Sequence, residues 1–303
     1  MNKNTNLMEI FYYADEFCKE FHKVMEGHTL EQNNGKKRRN RKFKLNDAEI
    51  ITIMIAFHLG GYRNLKSFYI NYVQKHLTGS FPETVSYNRF VELQGKALLP
   101  MTIFLKTIQL GNSTGISFVD STPIRVCKNK RIFNHKVFSG IAERGKSTMG
   151  YFFGFKLHII VNDRGEIINF AITPGNVDDR QPLKDANFLK KVAGKLFADK
   201  GYVSQKLFET LFIDGIQLIT GIRNNMKNQL LSMYDKIMLR KRSIIETIND
   251  ELKNICQIEH SRHRSFTNFV SNLISGLLAY SFLPKKPSIK YETIETFGQL
   301  TLF

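Results

Sequence analysis

Apolar side chains in the first third of the chain recur every three to four residues, the spacing of amphipathic helices. The first stripe predicts a helix that ends near Gly27. Beyond it lies a basic run, residues 36–42, which is either a solvated loop or an arm that contacts phosphates. The stripe itself consists of Phe11, Tyr12, Phe17, Phe21 and Val24.

Three more helices are predicted before the pattern changes. Asn46 and Glu49 have the spacing of a capping box, in which each side chain pairs with the backbone N–H of the other residue. The helix that begins there is expected to end at Gly60-Gly61. The next helix is predicted over about residues 64–76, and another begins near Ser86.

This succession of short helices and tight turns is typical of a helix-turn-helix, whose last helix presents polar side chains to a DNA groove. Ser86, Asn88 and Arg89 lie at the start of that last helix and are candidate DNA contacts. A small helical bundle without any DNA contact gives the same pattern, so this alternative stays open.

After Gly111 the spacing changes to that of strands, interrupted by turn residues at 162–165 and 174–176. Strands that alternate with helices after a three-stranded meander predict a mixed α/β sheet. A long helix over about 228–256 and a last helix over 268–282 follow. The predicted strands are 116–126, 154–161, 166–173, 195–198 and 216–222, with helices at 185–192 and 205–212.

These elements predict three regions. Residues 1–110 are expected to form a helical region that is a candidate for DNA binding, residues 111–285 an α/β domain, and residues 286–303 a flexible tail. The fold class expected is therefore a mixed sheet with flanking helices, preceded by an all-helical region.

The charge of the chain favours a polyanionic partner. Its 303 residues carry a formal net charge of +17 and a pI near 9.7, which favours nucleic acid first and an anionic membrane surface second. Seven Lys or Arg and one acidic residue fall between Arg125 and Lys146, and Lys128, Lys130 and Arg131 are candidate contacts to a DNA backbone. The aromatic residues of this stretch either stack on bases or belong to the core; they include Phe133, Phe138, Tyr151 and Phe152.

Several other classes of protein are disfavoured. The longest apolar stretch, Leu273 to Leu283, is far shorter than the roughly 20 residues that span a bilayer, and no signal peptide is expected. The three cysteines are scattered, which indicates neither a disulfide framework nor a zinc cluster. We expect a cytoplasmic, nucleoid-associated protein that does not bind membranes.

Two aspartates follow apolar strand segments. Asp120 lies in Phe118-Val-Asp-Ser-Thr-Pro123 and Asp199 in Phe197-Ala-Asp-Lys-Gly-Tyr202. Two strands that each bring a carboxylate to one edge of a sheet suit Mg²⁺, which prefers oxygen ligands. Each aspartate alone is also a common turn residue, and that reading stays open for either one.

The long helix offers a third carboxylate. Arg242, Glu246, Asn249 and Lys253 fall on one side of an ideal helix, apart from an apolar stripe. An ordinary surface pair between Arg242 and Glu246 gives the same spacing. Asp250 is the second candidate for the helical carboxylate.

Together these blocks resemble the DDE transposases of bacterial insertion sequences, whose catalytic core has an RNase H-like fold. The resemblance extends from about Leu45 to Leu283. The family pattern Tyr-x2-Arg-x3-Glu-x6-Lys falls on Leu239, Arg242, Glu246 and Lys253. Because Leu239 replaces the tyrosine, the role of that tyrosine in holding a displaced base is not carried over.

The resemblance implies that Asp120, Asp199 and Glu246 form the catalytic and metal-binding triad. Mg²⁺, for which Mn²⁺ substitutes, is the implied cofactor, and two such ions support in-line displacement at phosphorus. Arg242 and Lys253 are then expected to contact phosphates that flank the scissile bond. The implied partner is double-stranded DNA, both the inverted-repeat ends and the target, held by a homodimer assembled on the DNA.

Two other functions fit the same composition. One is an inactive DNA-binding derivative that acts as a repressor, which has no need of three acidic residues. The other is an RNase H-fold nuclease that cuts without end preference and never transfers a strand.

Overall fold

A computed structural model of the chain describes residues 3–26, 44–221, 231–259 and 263–290. The predicted basic run at 36–42 lies outside these ranges. The helices in chain order are α1 (Lys3–Glu26), α2 (Asp47–Leu59), α3 (Leu65–Phe68, continued by Tyr69–Val73 and Gln74–His76), α4 (Tyr87–Lys96), α5 (Leu98–Phe104, continued by Leu105–Gln109), α6 (Ala186–Leu189), α7 (Gln205–Ile213), α8 (Met233–Lys241), α9 (Ser243–Asn254) and α10 (Phe266–Ser281).

The helical region is built around α2. The predicted capping box is confirmed: Asn46 Oδ1 accepts from Glu49 N at 2.7 Å, and Glu49 Oε2 accepts from Asn46 N at 2.8 Å. Nine of the 13 residues of α2 are buried, because α1, α4 and α10 pack around it. The helix ends at Gly60, as the sequence predicts.

The sheet has six strands in the described part of the chain. β1 pairs antiparallel with β3 and parallel with β5, and β5 pairs parallel with β6. On the side of β3 opposite β1, two strands pair antiparallel with successive parts of β3: β2 with its first residues and β4 with the residues after them. The resulting order, β4-β3-β1-β5-β6, is that of an RNase H-like mixed sheet. The strands are β1 (Ile116–Cys127), β2 (Glu143–Ser147), β3 (Gly150–Asn162), β4 (Ile167–Pro174), β5 (Gly194–Ala198) and β6 (Ile216–Thr220).

Three elements differ from the sequence prediction. β2 was not predicted, because Glu143-Arg-Gly-Lys-Ser147 contains no β-branched or aromatic residue. The helix expected at 185–192 is only the single turn α6. The long helix expected over 228–256 is two helices, α8 and α9, that meet at Arg242.

Two apolar clusters cover the two faces of the sheet. One contains Phe118 of β1 and Phe197 of β5, together with α9, α10 and the helical region. The other contains Val119 and Ala198, together with α6 and α7. The last helix, α10, packs against α2 and α5, so the first cluster joins the helical region to the sheet.

The described end of the chain runs along the turn between β3 and β4. Ile289 N donates to Asp163 O at 2.8 Å, and Lys286 Nζ donates to Ser281 O at 2.8 Å. The remainder of the predicted flexible tail, residues 291–303, lies outside the described ranges. Division of the chain at residues 110 and 285 stays a prediction. Among the described residues, no helix is both long enough and apolar enough to cross a bilayer.

Candidate catalytic site

Alternation along the strands places both aspartates on the same face of the sheet. In β1, Phe118 belongs to one cluster and Val119 to the other, so Asp120 faces the side that carries Phe118. In β5, Phe197 and Ala198 alternate in the same way, which directs Asp199 to that side as well. This is the face against which α9 packs.

Asp120 is not at the end of its strand, contrary to the sequence-based expectation. β1 continues to Cys127, because its antiparallel partner β3 accompanies it along almost its whole length. Its parallel pairing with β5 does stop at Phe118, and β5 itself ends at Ala198. Asp120 and Asp199 therefore follow the point where the two strands separate.

α9 brings a carboxylate and an amide to this point. Its apolar stripe is buried in the cluster beneath the sheet, which fixes the rotation of the helix; the stripe consists of Ile244, Ile245, Ile248 and Leu252. Asn249 is buried as well, and its Nδ2 donates to Asp120 Oδ2 at 3.1 Å. Glu246, one turn earlier, is exposed at the rim.

Arg242 connects the carboxylates. Its guanidinium Nη2 donates to Glu246 Oε1 at 2.8 Å and lies 3.9 Å from Asp199 Oδ1. The residue forms the junction between α8 and α9, and its side chain is mostly buried while both carboxylates are largely exposed. The structure thus brings Asp120, Asp199 and Glu246 to one place, as the sequence predicts, with a cation among them.

The electrostatics of Asp120 reflect this crowding. Burial raises the pKa of its carboxyl to about 6, against the lowering effect of the Arg242 guanidinium. The nearby carboxylates of Glu246 and Asp199 raise this pKa further. Because burial and the neighbouring carboxylates disfavour the ionised form of Asp120, a cation bound at this point would be stabilising.

The donor set suits a hard divalent ion, since it consists of carboxylate and amide oxygens. The Oδ1 atom of Asn249 is buried and has no hydrogen-bond partner, which leaves one oxygen of the set unused. Within the described ranges, no three His, Cys, Asp or Glu side chains are close enough together to hold a metal ion. Coordination of one ion by all three carboxylates would therefore require a rearrangement of their side chains.

Asp250, the rival carboxylate, lies elsewhere on the helix. It is exposed and accepts from Asn254 Nδ2 at 2.6 Å. Glu246, not Asp250, contacts Arg242.

The predicted phosphate contacts are placed at two positions. Lys253 is partly buried on α9 and lies 3.7 Å from Glu259 Oε2, and burial lowers its pKa. Lys128, Lys130 and Arg131 are exposed at and just after the end of β1, around the helical turn Asn129–Asn134. Of the aromatic residues in that stretch, Phe133 and Tyr151 are exposed, while Phe138 and Phe152 belong to the buried interior.

The candidate contacts of the helical region lie at the start of α4. Ser86 is its N-cap and accepts from Arg89 N, Asn88 is exposed, and Arg89 pairs with Glu92 at 2.6 Å. α4 packs against α2, α5 and α10, so these residues belong to the helical region rather than to the sheet.

Sequence reasoning missed a polar network on the opposite face of the sheet. Asp179 accepts from Ser121 Oγ and from Lys156 Nζ, each at 2.8 Å, so it ties the loop after β4 to β1 and β3. Its neighbour Asp178 accepts hydrogen bonds from the backbone and the guanidinium of Arg180. Only the three-dimensional pairing of β1 with β3 brings Ser121 and Lys156 together, so no local pattern signals this network.

His158 is buried on that same face. Its Nε2 pairs with Thr173 Oγ1 at 2.8 Å, and burial lowers its pKa to about 4. The neutral histidine therefore has a structural role, since it links β3 to β4 through a side-chain hydrogen bond.

Comparison with known proteins identifies solved structures and a family model to which the chain is similar. No curated protein matches the chain. Among solved structures, it is similar to the piggyBac transposase in a synaptic complex with hairpin DNA, with 9% identity, a TM-score of 0.45, and 91% of this chain and 71% of that chain covered. For the Mos1 strand transfer complex the identity is 10% and the TM-score 0.23, with 80% of this chain and 82% of that chain covered.

A family model described as "Transposase DDE domain" matches residues 110–266. This segment is more than half of the chain and includes the whole sheet, Asp120, Asp199 and Glu246. The protein therefore belongs to the DDE transposase family, whose members are enzymes that cleave and transfer DNA strands.

Proposed function

We propose that this transposase belongs to an insertion sequence, binds its terminal inverted repeats, and uses Asp120, Asp199 and Glu246 to cleave the ends and join them to a target. One observation carries the proposal: Arg242 ties Glu246 to Asp199 on the face of the sheet that also presents Asp120. A surface pair on an isolated helix has no reason to lie beside two strand carboxylates.

Mg²⁺, with Mn²⁺ as a substitute, is the proposed cofactor. Bound ions supply Lewis-acid activation of the attacking water or 3′-hydroxyl and stabilise the leaving oxygen. Asp120, buried and held by Asn249, is the fixed ligand of the set, while Asp199 and Glu246 are exposed enough to adjust.

Arg242 has a second role in this proposal. Its fork of N–H donors is suited to a DNA phosphate as well as to a carboxylate. When the guanidinium turns to the phosphate beside the scissile bond, it no longer competes with metal for Glu246 and Asp199, so DNA strengthens metal binding. Lys253, on the same helix, supplies a further positive charge to the phosphates.

The DNA partner is double-stranded and is recognised in two places. The exposed cations Lys128, Lys130 and Arg131 neutralise backbone charge near the site. The start of α4, with Ser86, Asn88 and Arg89, contacts the inverted repeat. Because two ends must be cut and joined together, the active form is a homodimer assembled on DNA.

The test is cleavage of a labelled DNA that carries the ends of the encoding element and their flanks. Wild type and Asp120→Ala are compared in Mg²⁺ and in EDTA. Nicking at the element boundary by the wild type in Mg²⁺ alone supports the proposal. Tight binding without cutting points instead to a repressor, and cutting without end preference points to a nuclease.

A further inference from the structure

We propose that Asn249 is a positioning residue for the proposed metal site: it orients the carboxylate of Asp120 and offers its own amide oxygen to the same site. The inference rests on the proposed function and deepens it. It assigns a role to a side chain that lies outside the Arg–Glu–Lys pattern of the helix.

The direction of the hydrogen bond fixes how the amide is oriented. An ionised carboxylate only accepts hydrogen bonds, so the amide must turn its NH₂ group toward Asp120. Nδ2 donates to Asp120 Oδ2 at 3.1 Å, and the backbone of Ser121 also donates to this carboxylate, so Asp120 is held in one orientation. The same orientation of the amide turns the oxygen of Asn249 away from Asp120 Oδ2.

That amide oxygen has no partner in the described structure. Asn249 is only 7% exposed, and its Oδ1 is buried without a hydrogen bond. Burying an unpaired carbonyl oxygen is unfavourable, and its neighbours on the helix, Ile245, Ile248 and Leu252, are fully apolar. An apolar residue would serve the packing of α9 better than Asn249 does.

The observations together point to function rather than to packing. A buried polar group that is only half satisfied, and that is hydrogen-bonded to a proposed metal ligand, is expected where a bound ion completes the set. A divalent ion or its hydration shell would supply the missing partner of the Asn249 amide oxygen.

The experiment separates positioning from folding by removing the amide without opening a cavity. Asn249→Leu keeps about the same volume and continues the apolar stripe of α9. Asn254→Leu, at an exposed position of the same helix, is the matched control. Mn²⁺ affinity is measured on the full chain without DNA, from the electron paramagnetic resonance signal of free Mn²⁺, alongside the unfolding temperature.

We expect Asn249→Leu to unfold at or above the wild-type temperature and to bind Mn²⁺ about 10-fold or more weakly, the usual effect of losing a partner of a metal ligand. Asn254→Leu should retain wild-type affinity, and Asp120→Ala should lose the site. Wild-type affinity in Asn249→Leu overturns the inference, as does an absence of saturable binding by the wild type or unchanged affinity in Asp120→Ala. If the wild type cuts element ends in Mg²⁺ while Asn249→Leu binds Mn²⁺ normally, only the inference about Asn249 fails.

Discussion

At the scale of residues, Asp120 destabilises the fold that holds it. Burial places its carboxyl where the charged form is disfavoured, and Arg242 offsets only part of this cost, so the pKa remains raised at about 6. Residues of active sites commonly lower the stability of the folded protein in this way. Removing the charge of Asp120 should therefore abolish activity and raise the free energy of unfolding.

Asp120→Asn should abolish cleavage and raise the free energy of unfolding by about 1–3 kcal/mol at pH 8 in EDTA. The ordinary aspartate pKa is 3.8, so the unfolded chain ionises Asp120 well below pH 6 while the folded chain resists it. The cost of burying the charged carboxylate is complete above pH 6 and shrinks as the pH falls toward 3.8. Urea unfolding of both proteins at pH 8 and pH 5 checks this. A difference in free energy of unfolding between Asp120→Asn and the wild type that is as large at pH 5 as at pH 8 contradicts the prediction.

The three carboxylates of the proposed triad could be singled out from the sequence, whereas their surroundings could not. Asp120, Asp199 and Glu246 stand in short motifs that are visible in the chain. Asn249 was visible only as one polar position on a helix face, because its contact with Asp120 spans 129 residues of sequence. Arg242 was assigned to the middle of a helix, yet it forms the junction of α8 and α9.

At the scale of elements, the sequence predicted the ends of a helix correctly where capping and turn residues mark them. The capping box at Asn46 and the glycines after Leu59 fixed both ends of α2. β2 could not be predicted, since its polar residues become a strand only through pairing with β3. No Pro or Gly marks the break at Arg242, so the two helices were read as one.

Asn46→Ala should lower the free energy of unfolding by about 1 kcal/mol, because it removes the side-chain acceptor for Glu49 N and leaves only the bond from the backbone N–H of residue 46 to Glu49 Oε2. The comparison is Asn88→Ala, an exposed position in the first turn of α4, expected to change stability by less than about 0.5 kcal/mol. Denaturant unfolding measures both. Equal effects of the two substitutions would show that the cap contributes nothing.

At the scale of the whole molecule, one apolar cluster joins the helical region, one face of the sheet and α10. Three histidines that are buried or partly buried, one of them on the opposite face of the sheet, make the molecule sensitive to acid. Burial lowers the pKa of His58, His158 and His263 to about 4, from an ordinary 6.5. His58 in particular is enclosed between α2 and α10, bound to Ser275 Oγ at 2.9 Å and to the carbonyl of Cys256.

The free energy of unfolding should therefore fall as the pH is lowered from 7 to 5. Each of these histidines is neutral in the folded chain, whereas the unfolded chain protonates it below pH 6.5, so the stabilisation present above pH 6.5 is lost on acidification. Unfolding at pH 5.5 should take up about two to three protons from these groups. Calorimetry in buffers of different ionisation enthalpy measures the uptake, and uptake near zero at this pH contradicts the prediction.

The net charge of +17 predicts DNA affinity that falls steeply with salt. Replacing Lys128, Lys130 or Arg131 by Gln should each reduce the slope of log affinity against log salt by about 1. Lys23→Gln on α1, where the lysine pairs with Glu20, should leave the slope unchanged. Fluorescence anisotropy across a salt series measures these slopes. An equal reduction of the slope by all four substitutions would contradict a specific DNA contact at Lys128, Lys130 and Arg131.

The most direct test of the account is the identity of the helical carboxylate. Glu246→Gln and Asp250→Asn are matched amide substitutions one turn apart on α9, and only Glu246 contacts Arg242. Measured on element-end DNA in Mg²⁺, Glu246→Gln should reduce the cleavage rate by about 100-fold or more, the scale of losing an electrostatic contributor to catalysis. Asp250→Asn should stay within about twofold of wild type. Cleavage that survives in Glu246→Gln and is lost in Asp250→Asn would contradict the site described by Asp120, Asp199 and Glu246.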